Sequence, residues 1–197
     1  MMNVYILLDR SGSMQNQWGE AINSVNAYVK ELPKDTNVFL AAFDHDYTVL
    51  RNTTVKKWQP IDREEIVPRG NTRLFDSAAR VMYRALDDNA EKTVIVVMTD
   101  GEENASLNFK QSDVKSLADT MDKKKWELIF LGANFDKVSD VAINNFGRDS
   151  SKFLNMTTGN MTGTMADLAI RSTAYATMDS AINYTAEDKL RASSGSK

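Results

Sequence analysis

The chain contains no cysteine, which excludes disulfide frameworks, zinc–thiolate sites, iron–sulfur clusters and cysteine catalysis. It has a single histidine, so a metal site built from several imidazoles is excluded as well. Proline is scarce. Pro33 closes the first helical stretch, Pro60 and Pro68 fall in one loop, and no Pro-rich linker divides the chain. No apolar run approaches the roughly 20 residues needed to cross a bilayer. The opening MMNVYILLDRSGS lacks a basic n-region and a small-residue cleavage site, and its apolar run Val4–Leu8 is shorter than a signal-peptide core. The expectation is a soluble, cytoplasmic protein made where it works; zero cysteine fits a reducing compartment. A surplus of one charge is also missing. Lys and Arg number 24 against 27 Asp and Glu, a net charge of −3. That balance gives no electrostatic drive toward nucleic acid or an anionic membrane, so neither is expected as a partner.

What is present is a globular composition, 42% hydrophobic and 26% charged over 197 residues, enough for one domain. Short apolar runs punctuate it: Val4–Leu8, Val38–Phe43, Val94–Met98, Leu128–Leu131 and, more weakly, Phe153–Met156. All but the last are continuous rather than alternating, the pattern of strands buried on both faces. Between them lie stretches with helical spacing: Trp18 to Leu32, Leu74 to Leu86, Ser112 to Lys124, Phe135 to Phe146 and about Met161 to Ile182. The expected fold class is α/β, a doubly wound (Rossmann-like), mostly parallel sheet with helices on both faces. One unit breaks the rhythm. Asn37–Asp44 and Tyr47–Val55 are separated by only His45 and Asp46, too short for a parallel crossover, so Tyr47–Val55 is expected as one antiparallel edge strand. Residues 1–190 are expected as a single domain, with 191–197 (RASSGSK) a disordered tail.

In an open parallel sheet, ligands bind beyond the carboxyl ends of the strands, near the switch in strand order. The first strand ends in Asp9-Arg10-Ser11-Gly12-Ser13 and the fourth in Thr99-Asp100-Gly101, while Gly70-Asn71-Thr72-Arg73-Leu74-Phe75-Asp76 opens the second helix. In the common doubly wound order these strands are neighbours, so Asp9 and Asp100 face each other across the crevice. The set offers oxygens alone: the carboxylates of Asp9 and Asp100 and the hydroxyls of Ser11, Ser13 and Thr72. Oxygen donors suit a hard cation, Mg²⁺ first, then Mn²⁺ or Ca²⁺. Such a set leaves a coordination position open, and its natural occupant is a carboxylate from another molecule. Gly12 is expected to let the loop turn sharply, so that both serine hydroxyls point inward.

At these residues the sequence resembles the von Willebrand factor A (VWA) domain family. Asp9-x-Ser11-x-Ser13 matches the family's D-x-S-x-S motif, Thr72 its threonine loop, and Asp100 in Met-Thr-Asp-Gly-Glu-Glu-Asn its final aspartate. The likeness runs from about Asn3 to Met156. It implies a metal-ion-dependent adhesion site (MIDAS) in which Ser11, Ser13 and Thr72 bind metal directly, and Asp9 and Asp100 directly or through water. It also implies a shift of the Thr72 loop toward the metal when a partner acid binds. The segment Leu131–Asp136 and the helix after Met156 look like small stand-alone members from bacteria and their phages.

The function this implies is a Mg²⁺-holding module that recognises an Asp or Glu side chain of a partner protein, with no catalytic residue. Alternatives are a Mg²⁺-dependent phosphatase-like hydrolase with Asp9 as nucleophile, or a structural or assembly subunit of a bacterial or phage complex. The hydrolase family, however, carries D-x-D where Ser11 stands here. No G-x-G-x-x-G follows the first strand, which argues against a dinucleotide enzyme. Arg10, Arg73, Glu102 and Asn134 are the expected partner-binding rim. Glu102 and Glu103 together read better as a solvated loop. Asp76 has two readings, as an orienter of the metal loop or as a charge at a helix N-terminus. Asp136 reads equally as rim or N-cap. His45, between Asp44 and Asp46, reads as a solvated turn rather than a metal ligand, and the methionines as packing.

Overall fold

A computed structural model of the chain describes residues 1–134 and 136–194. It contains one sheet of β1 (Met2–Asp9), β2 (Asn37–Phe43), β3 (Tyr47–Thr54), β4 (Lys92–Thr99), β5 (Glu127–Ala133) and β6 (Phe153–Met156), in the order β3-β2-β1-β4-β5-β6. Every neighbouring pair is parallel except β2 and β3, which form the expected antiparallel edge. The helices are α1 (Trp18–Glu31), α2 (Leu74–Asp88), α3 (Gln111–Lys123), a short α4 (Val138–Asp140) continued by a π-turn over Val141–Asn145, α5 (Met161–Met178) and α6 (Ala186–Ser193). Among the described residues, no helix is long and apolar enough to cross a membrane.

The continuous apolar runs are explained by what covers each face. In β1, Val4, Ile6 and Leu8 join one core with Ile22 and Val25 of α1 and Met165 and Leu168 of α5. Tyr5 and Leu7 point the other way, into a second core with Ala78, Val81 and Met82 of α2 and Val114 and Ala118 of α3. Each fully buried aliphatic side chain contributes roughly 1.5–3 kcal/mol, so a strand apolar on both faces belongs in the middle of the sheet. The flanking β3 has partly exposed residues throughout and a register shift opposite Leu40/Ala41, as befits an edge. β1 pairs with β2 as far as Asp9↔Phe43 and with β4 as far as Leu8↔Met98. That register sets Asp9 beside Thr99 and Asp100, at the switch point of the sheet.

Three boundaries differ from expectation. α5 stops at Met178 because Asp179 adopts φ 55, a left-handed conformation that ends the helix before Ile182. The helix expected from Phe135 is shorter. Phe135 itself lies outside the described residues, and regular turns begin only at Val138, which is buried with Val141, Ala142 and Phe146. The expected disordered tail is also reached by structure. Arg191–Ser193 close α6, Ala192 is buried, and residues 195–197 lie outside the described residues. The reason is a capping box in which Thr185 and Asp188 bond each other's backbone, giving a polar segment a firm helix start.

Candidate metal centre

Asp9 ends β1 fully buried. One carboxylate oxygen accepts the Ser11 backbone N–H at 2.7 Å and the other the Thr99 hydroxyl at 2.6 Å. Burial nonetheless pushes its pKa up to about 6, because these neutral donors and the nearby Asp100 charge do not replace the lost water. From Ser11 the hydroxyls run outward: Ser11 Oγ lies 3.1 Å from Ser13 Oγ, and Ser13 Oγ donates to Asp100 Oδ1 at 2.7 Å. Burial also raises the Asp100 pKa, against hydrogen bonds that include Ser13 and Gln17.

Thr72 comes from the long loop before α2 and is 3% exposed. A Cβ built on Gly101 would lie 3.4 Å from Thr72 Oγ1 and 3.9 Å from Ser13 Oγ, so both hydroxyls lie beside Gly101. Asn104 fixes the Thr72 backbone on both sides: its Oδ1 accepts from Thr72 N at 2.9 Å and its own N–H donates to Thr72 O at 3.1 Å. The loop is tied to the β1 loop by Arg69 N donating to Arg10 O at 2.8 Å and by Gly12 N donating to Gly70 O at 3.2 Å. The expected role of Gly12 is therefore corrected. It has no left-handed φ, and a Cβ on it would meet only ordinary contact at 3.6 Å. The demanding glycine is Gly70, at φ 68, where a Cβ would fall 2.1 Å from His45 Nδ1.

All five oxygen-bearing residues singled out in the sequence thus gather at the carboxyl ends of β1 and β4. The rim is different. Arg10 is 6% exposed and turned inward, its guanidinium 3.4 Å from Asp44, because a buried aspartate requires compensation. Arg73 is half-buried, its Nε donating to Ala105 O at 3.1 Å. Glu102 is at the surface, paired with Lys137 at 2.7 Å. Asn134, in a left-handed turn, donates to Gln17 Oε1 at 2.8 Å and accepts from Thr158 N at 2.8 Å. Asp136 accepts from Asn155 Nδ2 at 2.8 Å.

Several organisers were not evident from the sequence. Gln17 is 7% exposed and bridges the centre, donating to Asp100 Oδ2 at 2.8 Å while holding Asn134. Glu103 is no free loop charge: it accepts from Phe75 N, Ala105 N and Ser106 N at 2.6–2.8 Å and so binds the 101–106 segment to the start of α2. Asp76 lies in the first turn of α2, as its helix-terminus reading has it, and its carboxylate accepts from Leu107 N, Asn108 N and Phe109 N at 2.8–2.9 Å, which ties down the segment beyond the metal loops. Asp44 is fully buried and paired with Arg69 at 2.9 Å, whereas the side chains of His45 and Asp46 reach solvent, as expected of that turn; Asp44, His45 and Asp46 bring ligand atoms within 4.8 Å of one another. Two guanidinia already neutralise that cluster, which leaves it unsuited to a further cation. The Asp9–Asp100 group is the reverse: its donors are hydroxyls and carboxylates without an adjacent cation. By its chemistry it fits a hard divalent ion.

The family model described as the von Willebrand factor type A domain matches residues 3–169. No curated protein matches the chain. Among solved structures, proximal thread matrix protein 1 (PTMP1) from the mussel byssus aligns at TM-score 0.64 and 15% identity, over 85% of this chain and 45% of that one. A variant of the PilB minor pilin from Streptococcus sanguinis aligns at 0.67 and 12%, over 88% and 62%. The vWF domain of the type V pili tip protein Mfa5 from Porphyromonas gingivalis aligns at 0.66 and 11%, over 94% and 98%. The chain therefore spans about half to two thirds of the first two proteins and nearly all of the third. At such identities the likeness is one of fold.

Proposed function

Because the chain belongs to the von Willebrand factor type A domain family, we propose that it is a protein-binding module that holds Mg²⁺ through Asp9, Ser11, Ser13, Thr72 and Asp100 and recognises an Asp or Glu side chain of a partner protein. Mn²⁺ or Ca²⁺ would serve the same donors. The observation that carries the reading is the gathering of two carboxylates and three hydroxyls at the switch point, with only neutral donors bonded to the carboxylates. A bound cation would supply the missing positive charge and polarise an incoming carboxylate. The chain's own part is to fix the donors: Thr99 and the Ser11 N–H orient Asp9, Gln17 and Ser13 orient Asp100, and Asn104 holds the Thr72 backbone. Asp9 has both oxygens bonded and no exposure, which suits holding a site together and not nucleophilic attack, so binding is favoured over hydrolysis. Action in the cytoplasm is a companion proposal that rests on the lack of cysteine.

Calorimetry tests the metal step. Mg²⁺ titrated into the intact protein is expected to give saturable heat, and Asp9→Ala none. Absence of heat with both Mg²⁺ and Mn²⁺ for the intact protein would refute the reading. A pull-down from lysate in Mg²⁺ against EDTA tests the partner step. Capture is expected to be lost in a Ser11→Ala/Ser13→Ala double variant. Thr72→Ala is expected to weaken partner capture more than metal binding, because its loop is separate from the other donors; equal losses would argue against a loop response.

A further inference from the structure

Beside the candidate metal centre, a groove of ≈ 590 Å³ runs along the solvent face of α2. It begins at Arg73, the residue after Thr72, and continues past Arg80 to Arg84, with Tyr47 on one side and Phe109 on the other. Its charges are unequal in availability. Asp46 is held by Arg69 at 2.7 Å, and Asp76 is occupied by three backbone N–H groups. Arg84 is paired with Asp88 at 2.8 Å. Arg73 and Arg80, in contrast, have no carboxylate partner among the described residues; Arg80 lies over the Tyr47 ring at 4.7 Å. The near half of the groove therefore presents two guanidinia ready for an anion. At the far end Asp87 is exposed and without an ion-pair partner among the described residues. Tyr83, 47% exposed, packs against Phe109 at 6.0 Å and gives an apolar patch between the two ends.

We propose that this groove receives the continuation of the partner segment: an extended acidic peptide whose first carboxylate goes to the metal centre and whose second is bound by Arg73 and Arg80. The proposal rests on the metal-centre reading and adds the chemistry of the partner. Charge complementarity and continuity with that centre argue for it. Arg73 to Arg80 spans seven helical positions, about 10 Å at about 1.5 Å per residue. An extended chain covers that in about three residues. The metal centre lies at the Arg73 end, beside Thr72, so an acid seated between the two guanidinia is expected two to four positions from the one on the metal. Guanidinium groups on one helix face hold carboxylates with directional hydrogen bonds, which gives such a segment a register.

The test is a displayed peptide library with one fixed Asp flanked by randomised positions, selected on the intact protein in Mg²⁺ with EDTA as control. Recovered peptides are expected to carry a second acid two to four positions to one side. Synthetic copies are expected to bind Arg80→Glu about three- to tenfold more weakly than the intact protein. Arg80→Gln should lose less than Arg80→Glu, and copies with the second acid replaced by Gln should bind all three proteins alike. Arg80 is exposed, so these variants fold, and their Mg²⁺ heats are expected to match that of the intact protein. Mg²⁺-dependent peptides without a second acid, or equal binding of two-acid peptides to Arg80→Glu, would overturn the groove and leave the metal centre standing. No Mg²⁺ heat and no EDTA-sensitive peptide would overturn both.

Discussion

β1 ends in Asp9, and β2 is followed immediately by Asp44. Both carboxylates are fully buried at the same edge of the sheet, yet they are balanced in opposite ways. Asp44 has two guanidinia, Arg69 at 2.9 Å and Arg10 at 3.4 Å, together with the Asp46 N–H at 2.6 Å. Asp9 has an amide and a hydroxyl. Arg10 is the very next residue to Asp9, and the fold directs its side chain away, to the other aspartate. Neighbouring strands thus illustrate two solutions to one problem. A buried charge answered from within the chain is a structural pin, and here it anchors the loop that presents Thr72, through Arg69 Nε donating to Asp44 Oδ2 at 2.9 Å. A buried charge answered only by dipoles lacks such a pin, and on the proposed reading it is a divalent cation that would balance it.

The largest effect that could break this contrast is on stability. Asp44→Asn leaves Arg10 buried without its counter-charge and is expected to cost about 3–5 kcal/mol, the usual result of removing one partner from a buried pair. Asp9→Asn keeps an acceptor for Ser11 N and removes a poorly balanced charge. In metal-free buffer it is expected to change stability by less than about 1 kcal/mol, or to raise it. Urea unfolding of both variants decides the matter. Similar losses would mean that Asp9 is as much a structural pin as Asp44.

A second, smaller effect is on pH dependence. Burial holds the Asp9 pKa at about 6 in the folded chain, above the ordinary carboxylate value of 3.8. The folded state therefore binds this proton more tightly than the unfolded state. The stabilisation is fully present below about pH 4 and is lost as pH rises through about 6. The gap corresponds to at most about 3 kcal/mol. Metal-free protein is accordingly expected to unfold more easily at pH 7 than at pH 5, with the difference absent in Asp9→Asn. Mg²⁺ requires the ionised carboxylate, so its affinity is expected to fall as pH drops below about 6. Thermal unfolding at the two pH values, with and without Mg²⁺, reads both signs at once. A metal-free protein no less stable at pH 7 would remove the argument that Asp9 lacks a counter-charge.

Much of this arrangement is legible in the sequence because the causes are local. Val4–Leu8 is apolar without alternation because helices cover both faces, and the two-residue gap at His45-Asp46 permits only an antiparallel pair. The five oxygen donors could be named because each directly follows a strand or opens a helix. The remainder depends on long-range geometry. Asp44 looked like part of a polar turn, and only the fold shows Arg69 arriving from 25 residues away. Glu103 looked like one of two solvated acids, but it joins a loop to the start of α2, 28 residues earlier. The capping box of α6 was a readable signal, T-x-x-D at Thr185–Asp188, obscured by the polar composition around it.

Gln17 provides the finest test of the contrast, since it is the neutral group placed where Asp44 has an arginine. Its Nε2 donates to Asp100 Oδ2 at 2.8 Å and its Oε1 accepts from Asn134 at 2.8 Å, 117 residues away in the chain. Nothing about a glutamine at a helix entrance announces this. Gln17→Leu removes the donor and leaves Asp100 with Ser13. The loss is two partly buried hydrogen bonds, to Asp100 and from Asn134, about 2 kcal/mol in unfolding free energy. If the amide only substitutes for a cation on that oxygen, Mg²⁺ affinity should stay within about threefold of the intact protein, since a freed carboxylate oxygen compensates for lost orientation. A loss above about tenfold, the range seen when groups that orient metal ligands are removed, would make Gln17 an essential positioning group. In that case the neutral side of the comparison would be as rigidly built as the charged one.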